Sequence, residues 1–518
     1  MLKSWSIENF KPIVNSGELK LAPVTVLAGR NSSGKSSLLQ SILMIAQTLS
    51  NQVPDRALLP NERIVQLGTF EDILSEFSTS RSMTIKFELS FGRDEVRENL
   101  INFQKSSAHV VTVTFTSASG NDANSSAIEA SKVVVEDVSL NFNFEFDRPN
   151  VVQNSPVPGI VDGHQTVLFV ISSFIKKMSV DELNNFPKII IPDYLPLLPY
   201  SGDQANYLGQ IKASTHNTTD QYLIALSHFL PVRLVHISKN ETENLEVPIN
   251  DIYISFLERG VEQITRFFTS KIRYLGPLRT EPSTIQRSFA PTSELDEVGA
   301  KGEYSAVVYQ ANQNASIKWY NPQTKQVERA TLQEALDSWV QYLGIASQVR
   351  TDMAGAIGVT WKVVLKEGQK PRTLPEVGVG VSQVLPILVM GLLSPQDTLL
   401  ILEQPELHLH ASVQARLGDF FVGLAKCKKQ CLIETHSENL VSQLRYHIVQ
   451  SGGQDKGDCI IYFVDQDEKG AAKFEPVEIS PQGNILNWPD GFFDETMLQE
   501  DRITAASIKK RANKVKNG

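Results

Sequence analysis

Residues 29–36 read GRNSSGKS, a complete GxxxxGK(S/T) pattern, and the chain around it has the order that pattern needs. Leu21 to Ala28 (LAPVTVLA) is a short apolar run suited to a buried strand, and from Lys35 to Thr48 the residues Leu38, Leu39, Ile42, Leu43 and Ala46 recur at helical spacing. Strand, glycine-rich turn and helix bring successive backbone N–H groups and a helix N-terminus onto one phosphate. Gly29 and Gly34 allow backbone angles that a side chain would obstruct. The loop residues Asn31, Ser32, Ser33, Gly34, Lys35, Ser36 and Ser37 are therefore expected to bind ATP. Lys35 would reach the β- and γ-phosphates, and the Ser36 hydroxyl would ligate Mg2+.

Far downstream, TLLILEQPELHLH (398–410) is an apolar strand that ends in acid. Compact GTPases place the second acidic motif much closer, and no guanine-reading NKxD motif occurs. A long insertion between two halves of one nucleotide site points to the ABC-type head shared by SMC-like and OLD-like ATPases. The order downstream agrees. EVGVGVSQVLPILVMGLL (376–393) is a glycine turn followed by an apolar helix, and CLIETHSENL (431–440) is a second buried strand ending in Thr435, His436 and Ser437. His436 stands where a γ-phosphate-sensing switch histidine would.

The chain resembles bacterial AAA-family ATPases that combine an ABC-type head with a C-terminal domain of uncharacterised function. It is similar to the ATPase subunits of Septu-type (PtuA-like) defence systems and is related to the OLD family. The resemblance rests on SIENFKPI (6–13), GRNSSGKSS, VQLGTFEDIL (65–74), RYLGPLRTEP (273–282), VGAKGE (298–303), VGVGVSQVLPI, LEQPELHLH (402–410), ETHSENL and NWPDGFFDE (487–495). It implies an α/β fold: an ABC/SMC-type P-loop head with a mixed central sheet, an antiparallel β subdomain and a large, mainly helical insertion. The implied layout is a first half of the head over 1–95 and a β subdomain with the insertion over 96–350. A second half of the head over 351–480 and a C-terminal segment with a basic tail over 481–518 complete it. The resemblance further implies ATP-driven assembly into a homodimer or higher oligomer, and a nuclease partner, of the HNH type, through which nucleic acid would be reached.

Three departures from the common ABC pattern bear on mechanism. Glu403 can hold Mg2+ through its water shell, but the next position, usually a catalytic glutamate, is Gln404, whose amide cannot accept a proton. Either Gln404 orients the attacking water or Glu406 acts in its place, and slow turnover is expected. The signature is degenerate, with Gly380, Val381, Ser382 and Gln383 in place of the LSGGQ order. Gly380, Ser382 and Gln383 remain the candidates for contacting the phosphate bound by an opposite subunit. Finally, Leu407 to His410 (LHLH) has the look of a histidine metal pair, yet no carboxylate or cysteine set completes a zinc site.

Further candidates are weaker in pattern. Phe10 and Lys11 stand where SMC-like heads meet adenine or its phosphates, and Gln66 is the candidate magnesium-side, γ-phosphate-sensing glutamine. Arg279 and Gly302-Glu303 either line the site, couple the insertion to it, or form a surface turn. Asp465-Gln466-Asp467 offers a superficial nuclease DxD, but Asp467-Glu468-Lys469-Gly470 reads as a hairpin turn before Phe474 to Ile479. Neither a Toprim glutamate nor an HNH pattern accompanies it, so DNA cleavage is expected of a partner.

Between the halves, Ser82 to Phe91, His109 to Phe115 and Leu140, Phe142, Phe144, Phe146 alternate apolar and polar residues as half-buried strands do. SASGNDANSSA is a polar loop. From about 165 to 275 the pattern reads as helical, for instance Gln221 to Leu230 and Asp251 to Phe268, without a sustained heptad. With 518 residues, 41% of them hydrophobic, the chain can bury more than one core; a net charge of −9 excludes a global polycation. The basic stretch IKKRANKVKNG at the end reads as a solubilising tail. No signal peptide or bilayer-spanning run is present, and Cys427, Cys431 and Cys459 form no disulfide framework, so a reducing cytoplasm is expected. The competing functional classes are an ATP-stabilised scaffold without hydrolysis and a DNA-repair head of the SMC or RecF kind. The missing coiled coil and the acidic balance argue against the last.

Overall fold

The computed structural model describes residues 1–51, 56–91, 107–117, 128–137, 142–147, 165–169, 221–228, 230–239, 246–252, 255–287, 297–355, 357–451, 457–487, 489 and 502–504. The loop SASGNDANSSA beyond Ser117, Leu140, most of NWPDGFFDE and the basic tail lie outside these residues. The described chain divides into two units, one of residues 1–19 and 40–271 and one of residues 20–39 and 272–518.

In the second unit the apolar run before the phosphate loop becomes the strand Val24–Gly29, inside a six-stranded sheet. The order across that sheet is Ile272–Leu275, Leu399–Glu403, Gln430–Thr435, Val24–Gly29, Cys459–Gln466 and Ala472–Pro476, parallel throughout except for the last pair. Both faces are covered. Every residue of Leu399–Glu403 and of Gln430–Thr435 is buried, which is why these strands read as continuous apolar runs rather than alternating ones. The strand that carries Glu403 is not beside the phosphate-loop strand. Gln430–Thr435 lies between them, with Glu434 opposite Glu403 on one side and Leu27 on the other.

Helices with legible termini pack around this sheet. Leu332–Leu343 starts at a capping box, in which Thr331 accepts from the Glu334 N–H and the Glu334 carboxylate returns to the Thr331 N–H, and it ends at Gly344 with φ of 74°. Its Trp339 meets Phe420 of Ala411–Lys426 edge-on at 4.9 Å. Val379–Leu393 is apolar almost all round and is buried from Val381 to Leu392. At its C-terminal end the buried Lys429 ammonium donates to the carbonyls of Gly391 and Leu392, at 2.7 and 2.9 Å.

The first unit holds an antiparallel sheet ordered Ile13–Asn15, Leu2–Phe10, Ser82–Phe91, Ser107–Ser117, Ile128–Asp137 and Phe142–Asp147, as the alternating patterns require. Trp5 stacks on Phe87 at 5.5 Å, and Phe268 of the helix Ser255–Ser270 closes on Phe87 at 5.2 Å.

The insertion departs from expectation. Gln221–Ser227 is a strand, not a helix; it pairs antiparallel with Leu230–Lys239 in a four-stranded sheet completed by Gln165–Phe169 and Glu246–Ile252. Among the described residues of the insertion only Ser255–Ser270 is helical, overlapping the expected span Asp251 to Phe268 and ending two residues beyond it. The misreading has a local cause. QYLIALS has the apolar density of a helix face, but His228 at φ of 56° turns the chain, and Pro231 removes an N–H that a helix continuing through it would need. The helix Lys35–Ser50 is likewise buried from Ser41 to Leu49 rather than amphipathic.

One residue joins the sheet to the phosphate loop. Gly29, at φ of 143°, pairs with Val464, and a Cβ there would lie 2.1 Å from the Val464 carbonyl oxygen. We expect Gly29→Ala to lower stability by about 1–3 kcal/mol, the range for forced overpacking, and to displace the loop. Denaturant unfolding checks the stability, and loss of nucleotide binding checks the loop.

Candidate functional site

The parallel sheet brings the ends of three strands to one edge, and the chemistry collects there. Gly29 leads into a loop in which Ser32 takes φ of 60° and Gly34 φ of 107°. Ser33 is buried and its hydroxyl donates to the Arg30 carbonyl at 2.9 Å, while the Ser32 carbonyl accepts from Gln466 Nε2 at 3.1 Å. Asn31 and Ser32 are exposed, and Ser36 and Ser37 are partly so at the start of the helix. Lys35 is 2% exposed, with its ammonium donating to the carbonyls of Gly29 and Arg30. Burial lowers its pKa, and the charges of Glu434 and Glu406 work against that.

The Ser36 hydroxyl donates not to Glu403 but to Glu434 Oε2, at 2.8 Å, across 398 residues of sequence. Glu403 is held elsewhere. Its Oε1 accepts from the Tyr274 hydroxyl at 2.7 Å, and its backbone carbonyl accepts from Arg279 Nη1 at 3.1 Å. Gln404 follows at φ of 45°, a left-handed angle that is strained for a residue with a side chain, and its N–H donates to the Glu434 carbonyl at 2.8 Å. Glu406 is buried, and its Oε1 accepts from the His436 N–H at 2.6 Å. His436 is half-buried, and its Nε2 makes no hydrogen bond among the described residues. Burial and the Lys35 charge lower its pKa against a hydrogen bond with the Gly29 backbone, a net lowering that favours the neutral ring.

Three buried carboxylates therefore share this edge. Burial pushes Glu403 up to about 7, Glu434's charge adding to the rise against the Tyr274 bond and Arg279. Burial likewise raises Glu406 and Glu434. Arg279, 9% exposed, is lowered to about 10 by burial, and its Nε and Nη2 make no hydrogen bond among the described residues. It is no surface-turn arginine. GPLRTEP and VGAKGE pair through Gly276 N–H to Ala300 O and Thr280 N–H to Lys301 O, at 2.8 and 2.9 Å, which fixes it in place. Glu303 belongs to that loop support, accepting from the Lys301 N–H, and Gly302 leaves room for Pro386, whose Cγ a Cβ would meet at 2.6 Å. A buried ammonium, a neutral histidine, unpartnered guanidinium donors and a helix N-terminus fit the phosphates of a nucleotide. The surplus of carboxylate over cation beside the Ser36 hydroxyl fits a divalent metal, and Ser36, Glu403 and Glu434 are the residues that would hold it.

The remaining candidates sit as follows. Gly378, at φ of −61°, caps Val379–Leu393, and Gly380 lies against His408 and Leu409 of the turn after Glu403. Ser382 and Gln383 are both 6% exposed, and the Ser382 hydroxyl donates back to the Val379 carbonyl at 2.7 Å, whereas Gly378 and Val379 are exposed and Gly380 is partly so. In the LHLH stretch His410 accepts from the Ser412 N–H as a helix cap and His408 is exposed at φ of 62°. Asp467 closes the hairpin read from the sequence, accepting at Oδ1 from the N–H groups of Lys469 and Ala471.

Phe10, Lys11 and Gln66 belong to the first unit. Phe10 is fully buried and has no open face, while the Lys11 ammonium donates to Gln40 Oε1 at 2.7 Å. Gln66 is exposed, next to Val65, whose N–H donates to Gln47 Oε1 at 2.9 Å. Tyr274 and Glu434 were not singled out from sequence. The only signal for Glu434 is an acid at the end of an otherwise apolar strand.

A phosphate loop on a parallel sheet, with buried carboxylates and a neutral histidine at the same edge, defines a P-loop ATPase. Residues 1–441 match the family described as "AAA ATPase domain", and the chain belongs to that family. Residues 455–502 match a second family, "Protein of unknown function (DUF3696)". No curated protein matches the chain. Solved structures similar to it include the SMC head domain from Thermotoga maritima, at 10% identity and a TM-score of 0.35 over 92% of this chain and 99% of that one. Another is an SMC head bound to the C-terminal winged-helix domain of ScpA, at 8% identity and 0.40 over 92% and 98%. A third is the SMC head with an extended coiled coil bound to the C-terminal domain of ScpA derived from Pyrococcus furiosus, at 11% and 0.36 over 92% and 96%. No helix among the described residues is long and apolar enough to cross a membrane.

A carboxylate whose pKa rises on folding adds stability that is complete below its unfolded value and is lost as pH climbs through the folded one. For Glu403, with a folded value of about 7, that loss falls between pH 4.5 and 7. The nucleotide-free protein should therefore weaken over this window. Glu403→Gln, which keeps an oxygen for the Tyr274 hydroxyl, should be more stable than wild type by about 2 kcal/mol at pH 8 and show little gain at pH 5. Denaturant midpoints across the pH series check it.

Proposed function

We propose that this ATPase binds ATP with Mg2+ at residues 29–37, hydrolyses it slowly, and assembles through ATP into a homodimer or higher oligomer. In that state it governs a nuclease effector, of the HNH type, in bacterial anti-phage defence, within the cytoplasm. The observation that carries the ATP reading is the convergence of Lys35, Ser36, Glu403, Glu406 and His436 on one edge of the sheet. Slow turnover follows from Gln404. An amide orients water but takes no proton, and Glu406 is the next carboxylate after it that can. With its Oε1 already accepting from the backbone N–H of His436, Glu406 is tied to the residue whose ring would face the γ-phosphate.

Assembly is supported by the exposed start of the helix Val379–Leu393 at Gly378 and Val379, where a helix N-terminus would meet a phosphate held by a second copy. The nuclease is assigned to a partner because Asp465 to Asp467 are committed to a strand end and a hairpin turn. The defence role rests on the resemblance to Septu-type ATPase subunits, and any nucleic acid would be reached through the partner.

ATP turnover and native mass of the purified chain test the reading together. We expect turnover below roughly ten per second, the typical enzyme median, lost in Lys35→Ala, and a rise in mass on adding ATP. Faster turnover would sink the role given to Gln404. Tight ATP binding and assembly without hydrolysis would make the protein a scaffold.

A further inference from the structure

Arg279 lies outside the phosphate-loop motif, and one side of its guanidinium makes no hydrogen bond among the described residues. We propose that the Nε–Nη2 edge of Arg279 binds the γ-phosphate of the nucleotide, so that this residue distinguishes ATP from ADP. The proposal rests on the reading that residues 29–37 bind ATP.

A guanidinium is planar and offers its donors as forks that match carboxylate or phosphate. Arg279 commits Nη1 to two backbone carbonyls, that of Pro277 at 3.0 Å and that of Glu403 at 3.1 Å. This fixes the plane of the group and leaves the Nε–Nη2 fork. The backbone on either side is fixed as well, since the N–H groups of Gly276 and Thr280 donate to the Ala300 and Lys301 carbonyls. Unpaired donors on a residue only 9% exposed are costly, so the fork suits an anion that the chain itself does not supply. Glu406 is the internal candidate, because its charge favours the Arg279 cation more than that of any other group. No bond joins them. Glu406 Oε2 is unpartnered too, and Oε1 accepts from the His436 N–H.

Position selects the γ-phosphate. The loop N–H groups cradle the phosphates nearer the nucleoside. Arg279 is bonded at the end of Leu399–Glu403, two strands across from Val24–Gly29, or about 10 Å at the usual strand spacing. In phosphate-loop sites the metal bridges the β- and γ-phosphates. With Ser36 and Glu403 among the residues that would hold it, the γ-phosphate faces the Glu403 strand, on which Arg279 is anchored. The fork is covered, as are Lys35 and His436 Nε2. The Lys35 ammonium bonds the carbonyls of its own loop, so nucleotide entry opens this edge in any case.

The test compares AMP-PNP, a non-hydrolysable analogue that keeps a γ-phosphate, with ADP. Each displaces a fluorescent ADP from the full-length protein in excess Mg2+, for wild type, Arg279→Gln and Arg279→Lys. Arg279→Gln should weaken AMP-PNP by roughly 10–100-fold, the worth of a hydrogen bond between charged groups, and leave ADP within about threefold of wild type. Arg279→Lys, which keeps the charge but not the fork, should show a smaller loss of AMP-PNP alone. A purely structural role would weaken both nucleotides together. Equal losses for the two nucleotides, or no loss for AMP-PNP, would overturn the assignment. If Arg279→Gln fails to fold, Arg279→Lys decides by the same comparison: a loss confined to AMP-PNP supports the assignment, and any other result overturns it. Failure of wild type to bind either nucleotide would instead overturn the nucleotide reading beneath it.

Discussion

Everything at this site depends on the parallel ladder between Val24–Gly29 and its two neighbours, Gln430–Thr435 and Cys459–Gln466. Parallel strands all finish at the same edge, so one choice of pairing places the phosphate loop, Glu434 and the turn to His436 within reach of one another. Antiparallel pairing would have sent Glu434 to the far edge. The ladder continues through Leu399–Glu403 to Ile272–Leu275, which adds Glu403, Gln404 and Tyr274 at the same level. Gly29 is the strictest point of the ladder, because the backbone of Val464 occupies the volume a side chain would take.

What could be read from the chain, and what could not, follows from the same pairing. The phosphate loop and its flanking elements were legible because their signals are local: an apolar run, two glycines, a helical period. The hairpin at Asp467 to Gly470 was legible for the same reason, since the Asx bonds that close it span four residues. Glu434 was not. Its meaning comes from lying between two strands that the sequence separates by hundreds of residues, and register of that kind leaves no local trace. Gln221–Ser227 failed differently, because an apolar segment seven residues long satisfies a strand and a helix face equally until its partners are known. Phe10 matched a motif position, yet its ring was claimed by the core of its own unit.

Charge explains why the chain departs from the ABC pattern where it does. Three carboxylates, all raised by burial, face Lys35 and Arg279. A fourth acid at position 404 would add another charge beside Glu403 and Glu434, on a residue whose N–H is bonded to Glu434. Like charges this close in a buried site oppose each other's ionisation. Gln404 keeps the shape and the hydrogen-bonding capacity without the charge. If Glu434 is an added acid relative to that pattern, Gln404 is its counterpart.

The position of Val24–Gly29 in the middle of its sheet also governs when the sheet can be built. This strand leaves the ribosome hundreds of residues ahead of its neighbours on both sides, Gln430–Thr435 and Cys459–Gln466. At synthesis rates of about 5–20 residues per second, the intervening chain takes tens of seconds to emerge. Throughout that interval an apolar strand with two unpaired edges has no lawful partner on its own chain. The nascent protein is thus exposed to mispairing at the very segment that leads into the phosphate loop, whereas the first unit ends at Lys271, before Leu399–Glu403 and Gln430–Thr435 are synthesised.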